Sequence, residues 1–135
     1  MDVIPQEPRV FVVDDDEPVR RSLGRLLHTA GYEVELLAGA EAYLERAVPT
    51  RPACLLLDMR MPGMGGVELQ HRILGTAHDV PIIFITAHGD EGLRRALLRT
   101  GAVDVLFKPL DADVLLEAVA RALKMAATPQ AATSA

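Results

Sequence analysis

The sequence predicts an α/β domain in which one parallel sheet is covered by helices on both faces. Three observations predict it. Short apolar runs alternate five times with longer stretches of helical periodicity. The central runs, 53–57 and 81–85, are apolar throughout, so both of their faces need cover. The length of 135 residues suits one domain around one core.

The elements follow in order. Residues 10–13 (Val-Phe-Val-Val) are the first strand. Residues 15–30 are a helix, with Pro18 tolerated in its first turn. Val19, Leu23, Leu26, Leu27 and Ala30 fall on one face of it, and Gly31 stops it. Residues 33–37 alternate in part and read as a strand near an edge. A short helix over 40–47 ends before Pro49. Residues 53–57 are the third strand, and a glycine-rich loop runs over 59–65. Residues 66–76 form a helix carrying Val67, Leu69, Ile73 and Leu74. Residues 81–85 are the fourth strand. Asp90 caps a helix that reaches Thr100, and Gly101 ends it. Residues 103–107 are the fifth strand. Asp111 caps a last helix with Leu115, Ala118, Val119, Ala122 and Leu123 inward. After Lys124 the composition turns to that of a linker or tail. Right-handed crossovers leave few strand orders, and the flavodoxin-like order 2-1-3-4-5 is expected.

Composition narrows the function. The net charge is −5, from 14 basic and 19 acidic residues, which argues against direct nucleic-acid binding by this chain. No apolar run is long enough to span a bilayer, so no membrane contact is expected. The first eight residues are acidic and contain proline, unlike a secretory signal, so a cytoplasmic location is expected. The single cysteine, Cys54, opens an apolar run and reads as a buried structural thiol.

Polar residues fall where such a sheet binds ligands, beyond the carboxyl ends of its strands. The first strand is followed by Asp14, Asp15 and Asp16. Asp58 follows the third strand, Thr86 the fourth, and Lys108-Pro109 the fifth. Each alone is an ordinary cap, turn or surface residue. Together they converge on one rim. Packed carboxylates repel and call for a cation, and a hard oxygen-only set favours Mg²⁺, with Mn²⁺ able to substitute. A carboxylate held there can still attack phosphorus. Lys108 brings a mobile positive charge and Thr86 a hydrogen bond for phosphoryl oxygens. His28, His71, His78 and His88 are dispersed and make no soft-ligand set.

These residues resemble the two-component response regulator receiver family. Asp14-Asp15 look like its metal-binding pair. Asp58-Met-Arg-Met-Pro-Gly-Met-Gly-Gly66 resembles its phosphorylation loop, and Thr86-Ala87 and Lys108-Pro109 resemble its switch threonine and lysine–proline pair. Residues 14–23, 86–90 and 101–104 are similar to the FixJ-like subgroup, whose members commonly carry a DNA-binding output domain. The resemblance covers residues 9–124, leaving 1–8 as an N-terminal extension and 125–135 as a C-terminal tail or linker.

The resemblance implies that Asp14, Asp15, Asp58 and the backbone carbonyl of Arg60 hold Mg²⁺. It implies that Asp58 takes a phosphoryl group from a histidine kinase, with Thr86 and Lys108 moving onto its oxygens. Arg60 and His88 stand where the family tunes phosphoryl lifetime, and Asp16 reads as a cap or outer-shell acid. It also implies a cis Lys108–Pro109 peptide, kinase contact through the first helix from Arg20 to Leu27, and phosphorylation-dependent homodimerisation upstream of transcription. The dimer would use the fourth helix and the last strand and helix, with Leu98 and Leu116 on the surface. Arg94, Arg95 and Arg99 read first as a solvated face.

One position departs from the family. Val105 stands where it usually has the tyrosine or phenylalanine that turns with the switch threonine, and Phe107 lies two residues on, on the same strand face. Output through displacement of the loop from Thr86 to Asp90 and the fourth helix is then expected. A phosphatase of the haloacid-dehalogenase type would also use an aspartate nucleophile, but it needs a second aspartate where Arg60 stands. A nucleotide-binding module would need a glycine-rich phosphate loop, which no strand is followed by here.

Overall fold

A computed structural model describes residues 8–46, 48–49 and 52–127. Five strands and five helices alternate along it. They are β1 (Arg9–Val13), α1 (Glu17–Thr29), β2 (Glu33–Leu37), α2 (Ala40–Leu44), β3 (Ala53–Asp58), α3 (Gly66–Ile73), β4 (Ile82–Thr86), α4 (Glu91–Arg99), β5 (Asp104–Phe107) and α5 (Ala112–Ala127). The strands form one parallel sheet in the order β2-β1-β3-β4-β5, as expected. β3 and β4 are buried at every residue, whereas the edge strand β2 is only half-buried.

The alternation of side chains across each strand divides the core into two layers. Phe11, Val13, Leu55, Leu57, Phe84 and Val105 pack with Tyr43 of α2, Leu69 and Ile73 of α3 and Leu97 of α4. Val10, Val12, Cys54, Leu56, Ile83, Ile85 and Leu106 pack with Leu23 and Leu27 of α1 and with Leu115, Ala118, Val119, Ala122 and Leu123 of α5. Each fully buried Leu or Ile adds about 1.5–3 kcal/mol of transfer free energy. Cys54 is fully buried, and burial pushes its thiol pKa up to about 12, as suits an inert packing residue.

Several ends differ from the sequence reading, each for a local reason. α1 begins at Glu17 rather than Asp15, because the backbone N–H of Asp16 bonds the Asp14 carboxylate at 2.9 Å. That bond holds the acidic run outside the helix. Ala30 is an exposed C-terminal cap residue and not part of the inward stripe. α2 ends at Leu44, short of the expected 47, a position outside the described residues. α3 ends at Ile73 and not at Thr76: Leu74 leaves the helical region at ψ 123°, and the Thr76 hydroxyl donates to the Ile73 carbonyl. α5 runs on to Ala127, past Lys124, because Met-Ala-Ala are strong helix formers. Leu98 and Leu116 are half-buried against the two core layers instead of free on the surface. Among the described residues, no helix is long and apolar enough to cross a membrane.

Candidate functional site

Two central strands bring the acids together. Register pairing of β1 with β3 aligns Val13 with Leu57, so the next residues, Asp14 and Asp58, leave the sheet side by side. One oxygen each from Asp14, Asp15 and Asp58 lie within 4.8 Å of one another. Asp14 and Asp58 are buried, and Asp15 is exposed. The loop after Asp58 folds back sharply. The Gly66 N–H donates to the Met59 carbonyl at 3.1 Å, and a Cβ on Gly66 would stand 2.6 Å from the Asp58 carbonyl oxygen. Only glycine permits that approach.

β5 delivers the cation. Lys108 follows its last residue, and its Nζ lies 3.2 Å from Asp14 Oδ2 and 4.0 Å from Asp58 Oδ1. The Lys108–Pro109 peptide is cis. Thr86, the last residue of β4, is buried. Its hydroxyl donates to the His88 carbonyl and accepts from the His88 N–H, both at 3.1 Å. The hydroxyl is thus engaged by the loop after β4.

The electrostatics are those of an under-compensated acidic cluster. Burial and then the neighbouring Asp14 push the Asp58 pKa up to about 6. Lys108, a backbone hydrogen bond from Arg60 and the weaker push of Asp15 complete the balance. One lysine does not neutralise three carboxylates, so the residues present suit a divalent cation. The donor set is all hard oxygen, which fits magnesium-like ions better than zinc.

The expected rim residues Asp14, Asp15, Asp58 and Lys108 are therefore together, and Thr86 is at the adjoining strand end. Asp16 stands at the N-cap position of α1 but makes no side-chain cap bond. Arg60 and His88 are exposed. Val105 is buried in the core layer beneath the rim, paired with Phe84. Three features escaped the sequence reading. Arg20 of α1 donates to the Asp14 carbonyl at 2.7 Å, steadying the acidic turn. Glu41 of α2 accepts from the Met64 N–H at 3.3 Å, tying α2 to the loop after Asp58. Buried Asp104 binds Arg94 of α4 at 2.7 Å and Arg121 of α5 at 2.8 Å. Arg94 is thus anchored, not part of a solvated face. Both its position and Arg121's follow helical spacing only, and a pair across two helices leaves no local pattern.

Comparison with known proteins assigns this arrangement. A family model described as the response regulator receiver domain matches residues 10–120. The chain belongs to that family. It is similar to the transcriptional regulatory protein FixJ of Rhizobium meliloti (strain 1021), with 42% identity over 113 residues, covering 84% of this chain and 55% of that protein. Nodulation protein W of Bradyrhizobium diazoefficiens is also 42% identical over 113 residues, with 84% and 50% covered. Among solved structures, response regulator StyR superposes with a TM-score of 0.82 at 45% identity, over 90% of this chain and 62% of that one. The FixJ-N crystal structure superposes at 0.79 with 40% identity, over 88% and 95%. The chain spans about half the length of these curated relatives. As a receiver of a two-component system, it is a signalling phosphoacceptor domain and not a conventional enzyme. A receiver domain implies a cognate histidine kinase.

Proposed function

We propose that Asp58 is the phosphoacceptor of this receiver and that Mg²⁺, or Mn²⁺ in its place, is held by Asp14, Asp15, Asp58 and the Arg60 carbonyl. The observation that carries the reading is the convergence of three carboxylates and Lys108 at adjoining strand ends. A bound divalent cation supplies positive charge to the acidic cluster and to incoming phosphoryl oxygens. Asp58 attacks phosphorus through a carboxylate oxygen. A P–O bond forms as the P–N bond of a kinase phosphohistidine breaks, and the imidazole nitrogen keeps the electron pair. Lys108 is released from Asp14 to pair with the phosphoryl group. The Thr86 hydroxyl leaves the His88 backbone and donates to a phosphoryl oxygen.

The finer partner readings rest on this step. Val19, Leu23 and Leu26 of α1 line a groove with Lys108, Pro109 and Leu110, which favours kinase docking beside the phosphoacceptor. Phosphorylation displaces the Thr86–Asp90 loop and α4, and so promotes a homodimer through the α4–β5–α5 face. The name of the FixJ relative favours a role upstream of transcription, the place of action being the cytoplasm in this reading, and the net charge of −5 disfavours direct DNA contact by this chain. The exposed Arg60 and His88 side chains set phosphoryl lifetime; equal dephosphorylation rates after replacing both would remove that role.

Incubation with Mg²⁺ and acetyl phosphate tests the proposal. Intact mass is expected to show one phosphoryl adduct on the unaltered chain and none on Asp58→Asn or in EDTA. An equal adduct on Asp58→Asn would overturn it.

A further inference from the structure

Three side chains from three elements meet under the β4–α4 loop. Thr86 and Phe107 are register partners at the ends of β4 and β5, so they project from the same sheet face. The Lys108 N–H bonds the Thr86 carbonyl at 2.9 Å, which locks the two strand ends together. Gly89 lies over them. A Cβ on Gly89 would stand 2.7 Å from Phe107 Cε1, 3.1 Å from the Thr86 methyl and 3.2 Å from Leu93 Cδ2. The ring edge, the methyl and the first turn of α4 therefore crowd one spot, and a glycine above them makes the room.

We infer that Phe107, not Val105, is the positioning residue that transmits movement of Thr86 to the loop and to α4. The inference rests on the phosphoacceptor reading of Asp58. Its physical basis is the geometry of a β-branched side chain. The Thr86 hydroxyl and methyl share one Cβ and occupy staggered positions about 120° apart. The hydroxyl now serves the His88 backbone twice. Sending it elsewhere carries the methyl away from its present place against Gly89. A ring packed at that spot must follow or leave a void, because close-packed interiors do not deform smoothly. Phe107 can follow: it is only half-buried, unlike Val105. Leu93 touches the same spot, so α4 feels the change directly.

Val105 lacks that connection. It pairs with Phe84 one alternation step further from the rim, about 6.5 Å along the strand. It is packed in the closed core layer.

The test uses the chain with ring-labelled phenylalanine. The three phenylalanines are Phe11, Phe84 and Phe107. Beryllofluoride with Mg²⁺ stands in for the phosphoryl group. Phe107 ring resonances are expected to move together with the amides of 87–93, while those of Phe11 stay still. In Phe107→Leu, the acetyl phosphate adduct is expected to form within about twofold of the normal rate, with the α4 amide response cut by more than half. Phe107→Tyr is expected to restore it, and Val105→Ala to leave it intact. An unmoved Phe107 ring in the unaltered protein would overturn the inference, whatever the variants do. So would a full α4 response in Phe107→Leu, with the adduct reading left standing. No adduct on the unaltered protein would remove both readings together.

Discussion

Asp58 is held in a place that suits its chemistry and burdens the fold. Its pKa is raised from 3.8 to about 6, first by burial and then by Asp14. A carboxyl raised in the folded state contributes stability that is complete below its unfolded pKa and is lost as pH rises through the folded value. The window is therefore about pH 4 to 6. In metal-free protein at pH 7.5, ionised Asp58 costs up to about 3 kcal/mol. Asp58→Asn is expected to be more stable than the unaltered chain at pH 7.5, by 1 to about 3 kcal/mol. The gain should vanish near pH 3, where the carboxyl is largely protonated in both the folded and the unfolded chain. Urea unfolding in EDTA at the two pH values measures it; a variant less stable at both would refute the electrostatic account. This residue was legible from its place after a buried strand. Its conflict with Asp14 was legible as well, since two acids at adjacent strand ends must repel. The present state of Thr86 was not, because its bonds to the His88 backbone are a local turn that an isolated threonine does not announce.

At the scale of elements, β5 is an edge strand that fastens two helices. Asp104 is buried at its start and receives Arg94 from α4 and Arg121 from α5. Arg94 also donates to the Val105 carbonyl at 3.4 Å. Burial pushes the Asp104 carboxyl up. The hydrogen bonds from Arg121, the Val105 N–H and Arg94, with the Arg94 charge, outweigh burial and hold it below the ordinary range. A depressed carboxyl contributes stability above its unfolded pKa, near 3.9, that disappears as pH falls through the folded value. Asp104→Asn is expected to lose about 2 kcal/mol at neutral pH, less than for a fully enclosed pair because both arginines reach water. Urea midpoints for the two proteins should converge as pH falls below 4; a constant difference down to pH 2 would deny that the charge matters. The cluster also bears on signalling. α4 meets β5 through Leu93 beside Phe107 and through Arg94 on Asp104, one contact adjusting and one fixed. Helix periodicity revealed α4 and its Asp90 cap, confirmed by the Leu93 N–H bond at 2.9 Å. It could not reveal the clamp, whose members are 10 and 17 residues apart.

Over the whole molecule, the five βα units were legible because buried strands and amphipathic helices carry different periods. Crossover handedness left few strand orders, and the flavodoxin-like order expected among them is the one observed. Helix ends were less legible. Single backbone events set them, such as the Asp16 N–H turning to Asp14, and apolar spacing is blind to these. The order 2-1-3-4-5 then places β1 beside β3 at the centre, so the acidic cluster hangs on the two strands that hold the core layers together. Occupancy of the cluster should consequently be felt as global stability. A cation that binds only the folded chain stabilises it by RT ln(1 + [L]/Kd), about 1.4 kcal/mol at ten times Kd. For a domain of this size that is a rise in Tm of roughly 5 °C. Thermal unfolding across a Mg²⁺ titration is expected to show such a rise for the unaltered chain, reversed by EDTA. Asp58→Asn should start higher, because its repulsion is gone, and gain less, because it has lost a ligand. The two curves should therefore approach each other as Mg²⁺ increases. Parallel curves would mean that magnesium acts on surface charge at large and not on the cluster formed by Asp14, Asp15 and Asp58.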